Sequence, residues 1–306
     1  MEEYIGGVRL NYDYYSGVDL YSDGNIEDEI LSIVQNYGEE DYNRIIKDRK
    51  EWAILYHLSP IRKNIVSFLP IGRNEKVLEV GAGCGAITGA LADKAESVTC
   101  IELSKKRSMI NAYRNKEKDN INILVGNFQD IEKNLTEKYD YITLIGVFEY
   151  AEYYIQCAAD PYEEFLKTIK RHLKDNGKIV VAIENKYGMK YFAGCKEDHV
   201  GMYFEGIEGY SASHGVKTFA RDTILKYAKG AGLEDVQYYY PHPDYKLPMV
   251  IYSDSYLPQT GELGRYGTYN FDQDRTILFD ENKAFNSCIK DGLFTQFANS
   301  FLVVMS

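Results

Sequence analysis

Residues Lys76 to Leu91 read KVLEVGAGCGAITGAL. Val77, Leu78 and Val80 predict a buried strand, Gly81-Ala82-Gly83-Cys84-Gly85 a tight turn, and the remainder a helix. In sheets of alternating strands and helices, ligands bind at the carboxyl ends of the strands. Glycine lets the backbone approach a ligand there, and the following helix points its positive end at it. The stretch predicts a site for a nucleotide-like small molecule.

Downstream the alternation continues. Strands are expected at 76–80, 97–101, 121–125, 141–145, 178–183 and 235–240, with a short one at 249–252 and a last one, FLVVM, at 301–305. Helices between them, such as 161–173 and 219–231, predict a parallel α/β sheet. Upstream, residues 1–24 read as an irregular lead-in. Ile26, Ile30, Ile33 and Val34 then share one helical face, and further helical stretches run to Leu69. Residues 1–73 are therefore an expected helical cap. Residues 74–306 form the α/β domain, with insertions at about 184–217 and 241–299 that suit lids or binding loops.

Lys and Arg total 35 against 46 Asp and Glu, a net charge of −11, which disfavours a long nucleic-acid footprint. Cys84, Cys100, Cys157, Cys195 and Cys288 form no CxxC pair, which argues against a disulfide framework or zinc site. The acidic N-terminus is no signal peptide, and no apolar run approaches the roughly 20 residues that span a bilayer. A cytoplasmic protein without a membrane span is expected. The 28 tyrosines either suit a wet, amphipathic cleft such as a sugar site or reflect the compositional habit of the source.

Gly81-x-Gly83-x-x-Ala86, with Glu102 about 20 residues on, allows a nicotinamide cofactor. Other features point elsewhere. Gly85 extends the run to GxGxG, and Glu79 sets a carboxylate before it. GNFQD (126–130) follows the third strand, and GVFEY (146–150) ends the fourth. In these stretches the chain resembles the class I S-adenosylmethionine-dependent methyltransferases, over about residues 74–252 plus the last strand. The resemblance implies a seven-stranded doubly wound sheet, mostly parallel with an antiparallel last strand. It also implies S-adenosyl-L-methionine as methyl donor and S-adenosyl-L-homocysteine as product. Glu102 would then take the ribose hydroxyls, with Leu103 beside it. Gly81, Ala82, Gly83 and Gly85 would lie against the amino-acid and ribose portion, and Glu79 would orient the amino end. Asn127 and Phe128 would frame the adenine, with Asp130 near its amine. Gly146 and Val147 would line the methionine end.

Methyl transfer to a hydroxyl requires alignment, exclusion of water and removal of a proton. The base candidates are Glu149, His199 and His214. Each has an ordinary structural alternative, and His199 is chosen because a neutral imidazole can accept a proton near pH 7. Tyr56, Arg62, Tyr210 and His242 are candidate acceptor contacts; Arg62 also suits the cofactor carboxylate. His57 is expected to face the site, and His172 to lie on the surface. Adjacent residues such as Glu197-Asp198-His199 rarely point at one ion, so no metal site is expected. No Asn/Asp-Pro-Pro-aromatic tetrapeptide follows the fourth strand, and Cys157 is not preceded by Pro. With the acidic charge, this disfavours nucleic-acid acceptors.

The segments RKEWAILYHLSPIRKNI, AIENKYGMKYFAGCKEDH and YYYPHPDYKLP look similar to bacterial methyltransferase domains associated with surface-polysaccharide assembly. That resemblance implies a sugar, glycan or other small-molecule hydroxyl as acceptor. It also implies a further catalytic domain in a longer parent chain, with which an end directly on FLVVMS is compatible. The alternatives are an NAD(P)-dependent oxidoreductase, a nucleic-acid or protein methyltransferase, and a non-catalytic cofactor-binding relative.

Overall fold

The strands that follow Asn74 begin a parallel ladder, and their apolar runs are buried. A computed structural model describes residues 1–19, 22–155, 160–211, 213–266 and 275–306. Cys157, weighed above as a nucleophile, lies outside the described residues. The chain divides into two compact units, Met1–Leu144 with His172–Lys178, and Ile145–Arg171 with Ile179–Ser306.

The first unit contains β1 (Glu2–Ile5), β2 (Val8–Tyr14), β3 (Lys76–Val80), β4 (Ser97–Glu102), β5 (Ile121–Gly126) and β6 (Tyr139–Ile145). Their order is β1-β2-β5-β4-β3-β6, parallel throughout except for β1 against β2. The lead-in expected to be irregular is therefore largely a hairpin. Gly6-Gly7 makes its two-residue turn, with Gly6 at φ 60°, which glycine adopts without penalty. A side chain at Gly6 would run into the Lys116 carbonyl, which accepts from the Gly7 amide at 2.8 Å. Val8 and Leu10 alternate inward and are fully buried.

Helices Ile26–Asn36, Tyr42–Arg49 and Trp52–Leu58 follow this hairpin. Their Ile30, Ile33, Val34, Tyr42, Ile45, Ile54 and Leu58 pack around Cys84 of the glycine run and Ile110. A buried ion pair secures the same contact. Glu27, fully buried, accepts from Arg107 Nε and from Ser22 Oγ, both at 2.7 Å, and from the Asp23 amide at 2.9 Å. Arg107 also pairs with Asp23, whose Oδ2 lies 3.0 Å from His57 Nε2.

The second unit pairs β7 (Leu173–Glu184, of which 179–184 belong here), β8 (Val236–His242), β9 (Val250–Ser253) and β10 (Ser300–Met305) in the order β7-β10-β8-β9, all antiparallel. The antiparallel last strand is as expected. The strand count is not: ten strands stand among the described residues where a seven-stranded sheet was expected; the hairpin is additional, and the short strand expected at 249–252 is β9, paired with β8. The two insertions are tied down by buried amides. Asn185 Nδ2 donates to the Gln296 and Ala298 carbonyls, both at 2.8 Å, and Asn299 Oδ1 accepts from the Lys190 amide at 3.0 Å. Among the described residues no helix is long and apolar enough to cross a membrane.

Replacing Arg107 by Ala strands the Glu27 carboxylate in the core, which should cost about 3–5 kcal/mol. Urea unfolding of Arg107→Ala should show that loss, and the double change Glu27→Met with Arg107→Met should recover most of it.

Candidate active site

In the first unit, β5, β4 and β3 are parallel neighbours, so the residues following each lie along one edge. Gly81, Gly83 and Gly85 all have positive φ, at 71°, 53° and 71°. A Cβ on Gly85 would strike Asn111, whereas Gly83 has nothing within 4 Å on that side. Glu102, ending β4, is buried; it accepts from the Gly83 amide at 2.7 Å and the Ser104 amide at 2.9 Å. Burial raises its pKa, against the pull of those amides and of Arg107. Each carboxylate oxygen keeps acceptor capacity beyond one such bond. Leu103 beside it is half-buried and Ala82 is buried.

Glu79 is buried beneath the turn and accepts from Thr88 Oγ1 at 2.6 Å; burial pushes its pKa up to about 7, with Arg62 among the charges opposing this. Arg62 is itself buried, its guanidinium 4.0 Å from the Tyr56 ring centroid. His57 belongs to the ion-pair network: burial lowers its pKa despite Asp23. Asn127 accepts from the Gln129 amide at 3.1 Å and caps a single helical turn. Phe128 is packed inward and Asp130 is exposed. His172, expected on the surface, is buried with Nε2 3.4 Å from Glu132.

The second unit contains a separate cluster of ionisable groups. Gly146 has φ 70° and Val147 is buried. Phe148 is fully buried against Tyr162 and Phe219 and anchors the segment. Glu149 follows, its carbonyl taken by the Lys217 amide at 3.1 Å. Its carboxyl is 1% exposed, and Oε2 has no hydrogen-bond partner. Burial pushes its pKa up to about 8. Glu184, at the end of β7, lies 3.3 Å from His199 Nε2 and 2.9 Å from Lys246 Nζ. Burial works against its charge, yet Lys246 and His199 hold its pKa low. His199 Nδ1 meets the Tyr150 hydroxyl at 3.2 Å.

The neutral imidazole expected at His199 is not what this geometry gives. Burial opposes its protonation, but the adjacent Glu184 carboxylate outweighs it and raises the pKa to about 9. Its two sequence neighbours go elsewhere. Glu197 accepts from the His199 and Val200 amides at 2.7 and 2.8 Å, and Asp198 pairs with Lys190 and Lys246 at 2.7 and 2.9 Å.

The other candidates are not part of this group. His214 is exposed. The Tyr210 hydroxyl is committed to Glu197 at 3.0 Å and Thr218 Oγ1 at 2.6 Å, so it braces the insertion. His242 is buried beside Phe285 and Tyr266, and burial pushes its pKa down to about 4. Glu184, Tyr150 and Lys246 were missed from the sequence. The one available signal was Glu184 itself, an acid closing the apolar run KIVVAIE.

A family model described as a methyltransferase domain matches residues 54–238. The chain belongs to that methyltransferase family. The matched domain is one of methyl transfer, for which the glycine run, Glu102 and the strand-end segments imply S-adenosylmethionine as the donor group. The open side of Gly83 and the carboxylate of Glu102 fit such a group. The small-subunit ribosomal RNA methyltransferase A of Borreliella burgdorferi is 32% identical over 162 residues, 51% of this chain and 55% of that protein. The chain thus spans about half the length of the curated relatives it matches. Two solved structures are among those similar to this chain. One is a Haloferax volcanii complex of the Trm112 methyltransferase activator with a methyltransferase (18% identity, TM-score 0.48, covering 90% of this chain and 96% of that one). The other is a Thermotoga maritima S-adenosylmethionine-dependent methyltransferase (14% identity, TM-score 0.45, covering 87% and 98%).

His242 sets a stability limit on the acid side. Its folded pKa lies below its unfolded value, so the unfolded chain binds the extra proton as pH falls from about 6.5 to 4, and stability drops by about 3 kcal/mol. Urea unfolding across that window should show wild type losing that much more than His242→Phe.

Proposed function

We propose that the chain methylates oxygen on a sugar, glycan or other small hydroxyl-bearing molecule. The observation that carries this is the buried group of Glu149, Glu184 and His199, which begins three residues after Gly146. S-adenosylmethionine supplies a methyl group on a positively charged sulfur. Gly81, Ala82, Gly83, Gly85 and Glu102 hold its amino-acid and ribose portion in this proposal. Glu79 and Arg62 address its polar end, Leu103, Asn127 and Phe128 its adenine, and Gly146 and Val147 its methionine end. Glu149, His199 and Tyr150 then receive the acceptor, orient its hydroxyl and manage its proton. His199 in its charged form is a donor, not a base, so the proton-accepting role falls to Glu149 once ionised. The likeness of three segments to surface-polysaccharide methyltransferase domains supports a sugar hydroxyl.

A second proposal, RNA as acceptor, is favoured by the identity with a ribosomal RNA methyltransferase. Against it stand the net charge of −11 and the sequence GVFE where adenine-amino methyltransferases carry Asn/Asp-Pro-Pro-aromatic.

Calorimetry with S-adenosylhomocysteine should give binding weakened about 10- to 100-fold in Glu102→Ala, the cost of charge-assisted hydrogen bonds. Methyl-labelled S-adenosylmethionine should then label nucleotide sugars or oligosaccharides in a panel that includes small-subunit ribosomal RNA. Glu149→Gln should reduce that transfer while cofactor binding persists. Label confined to the RNA would overturn the sugar proposal in favour of the second.

A further inference from the structure

We infer that Glu149, Glu184 and His199 form a site for a divalent cation of the magnesium or manganese class; this rests on taking the cluster as the acceptor site. Each residue offers one ligand atom, and the three atoms lie within 4.8 Å of one another. Ligands about 2.2 Å from a shared ion lie at most about 4.4 Å apart. The group therefore needs side-chain adjustments of only a few tenths of an ångström to close on one.

A second observation points to a ligand. Glu149 is 1% exposed, and its Oε2 is buried without a hydrogen-bond partner. Leaving such an atom unsatisfied is unfavourable, and coordination to a cation removes that cost. The other two ligands are held from behind. Tyr150 engages Nδ1 of His199 at 3.2 Å, so Nε2 turns to Glu184, and Lys246 braces Glu184 at 2.9 Å. Ligating imidazoles and carboxylates depend on outer partners of this kind.

Binding the ion requires Glu149 ionised and His199 Nε2 unprotonated, so it releases the protons these two groups carry in the ion-free protein. Two carboxylates with one imidazole suit manganese or magnesium better than metals that seek thiolates. Three protein ligands leave coordination positions for water or an acceptor hydroxyl, whose acidity such an ion raises.

The test is a Mn2+ titration of the EDTA-treated full chain near neutral pH, with free ion read by electron paramagnetic resonance. One equivalent should bind, with affinity reduced at least about tenfold in Glu149→Gln and in His199→Gln. Each variant is checked for folding by its S-adenosylhomocysteine binding. Should a variant fail that check, anomalous scattering from wild-type crystals grown with Mn2+ locates the ion directly. No binding at millimolar Mn2+, unchanged affinity in folded variants, or an anomalous peak away from the three residues would each overturn the inference. Methyl transfer that persists in EDTA without Mn2+ binding removes the cation and keeps the acceptor site. Mn2+ bound by the three residues while Glu149→Gln transfers methyl normally does the reverse.

Discussion

The glycine turn depends on one carboxylate. Glu102 takes the amides of Gly83 and Ser104, so it fixes both the turn after β3 and the start of the helix after β4. Ser104 in turn caps that helix through the Arg107 amide at 3.3 Å. Arg107 reaches Glu27 and Asp23, and Asp23 reaches His57. A chain of charge-assisted contacts thus runs from the glycine turn into the N-terminal helices. Those helices pack on Cys84 of the same turn. Buried pairs of this type add little to stability against an apolar alternative, yet they permit few other arrangements of the same groups.

The second unit solves a different problem, the burial of several acids close together. Glu184 is the pivot. Ion pairing with Lys246 and His199 keeps it charged, and a charged Glu184 makes ionisation of Glu149 harder while holding a proton on His199. The three groups titrate as one system, because each proton changes the field on the other two.

The strand ends were legible in the sequence because buried parallel strands advertise themselves as short apolar runs closed by glycine or acid. The KVLEV, SVTCIE and INILVG segments are of this kind, and each ends at or directly before a residue of the candidate cofactor site. The N-terminal hairpin was legible too, in Gly6-Gly7 between Tyr4-Ile5 and the alternating Val8 and Leu10, but the Tyr- and Asp-rich surroundings masked it. The acid–imidazole cluster was not. Glu149, Glu184 and His199 are far apart in the chain, and only antiparallel packing and a folded insertion bring them together. His242 illustrates the converse: following the sixth expected strand, it reads as a candidate acceptor contact, whereas Phe285 and Tyr266 flank it in a buried position.

The abundance of tyrosine also acquires a physical explanation. A buried carboxylate needs donors, and a phenol supplies one without adding charge while filling apolar space. Tyr210 donates to Glu197 and Tyr191 to Asp198, both carboxylates buried. Tyr150 does the equivalent for His199. These tyrosines satisfy acids within the fold, so an abundance of tyrosine does not by itself point to a sugar. The proposal of a hydroxyl acceptor rests instead on the cluster around Glu149, where one carboxylate oxygen has no hydrogen-bond partner.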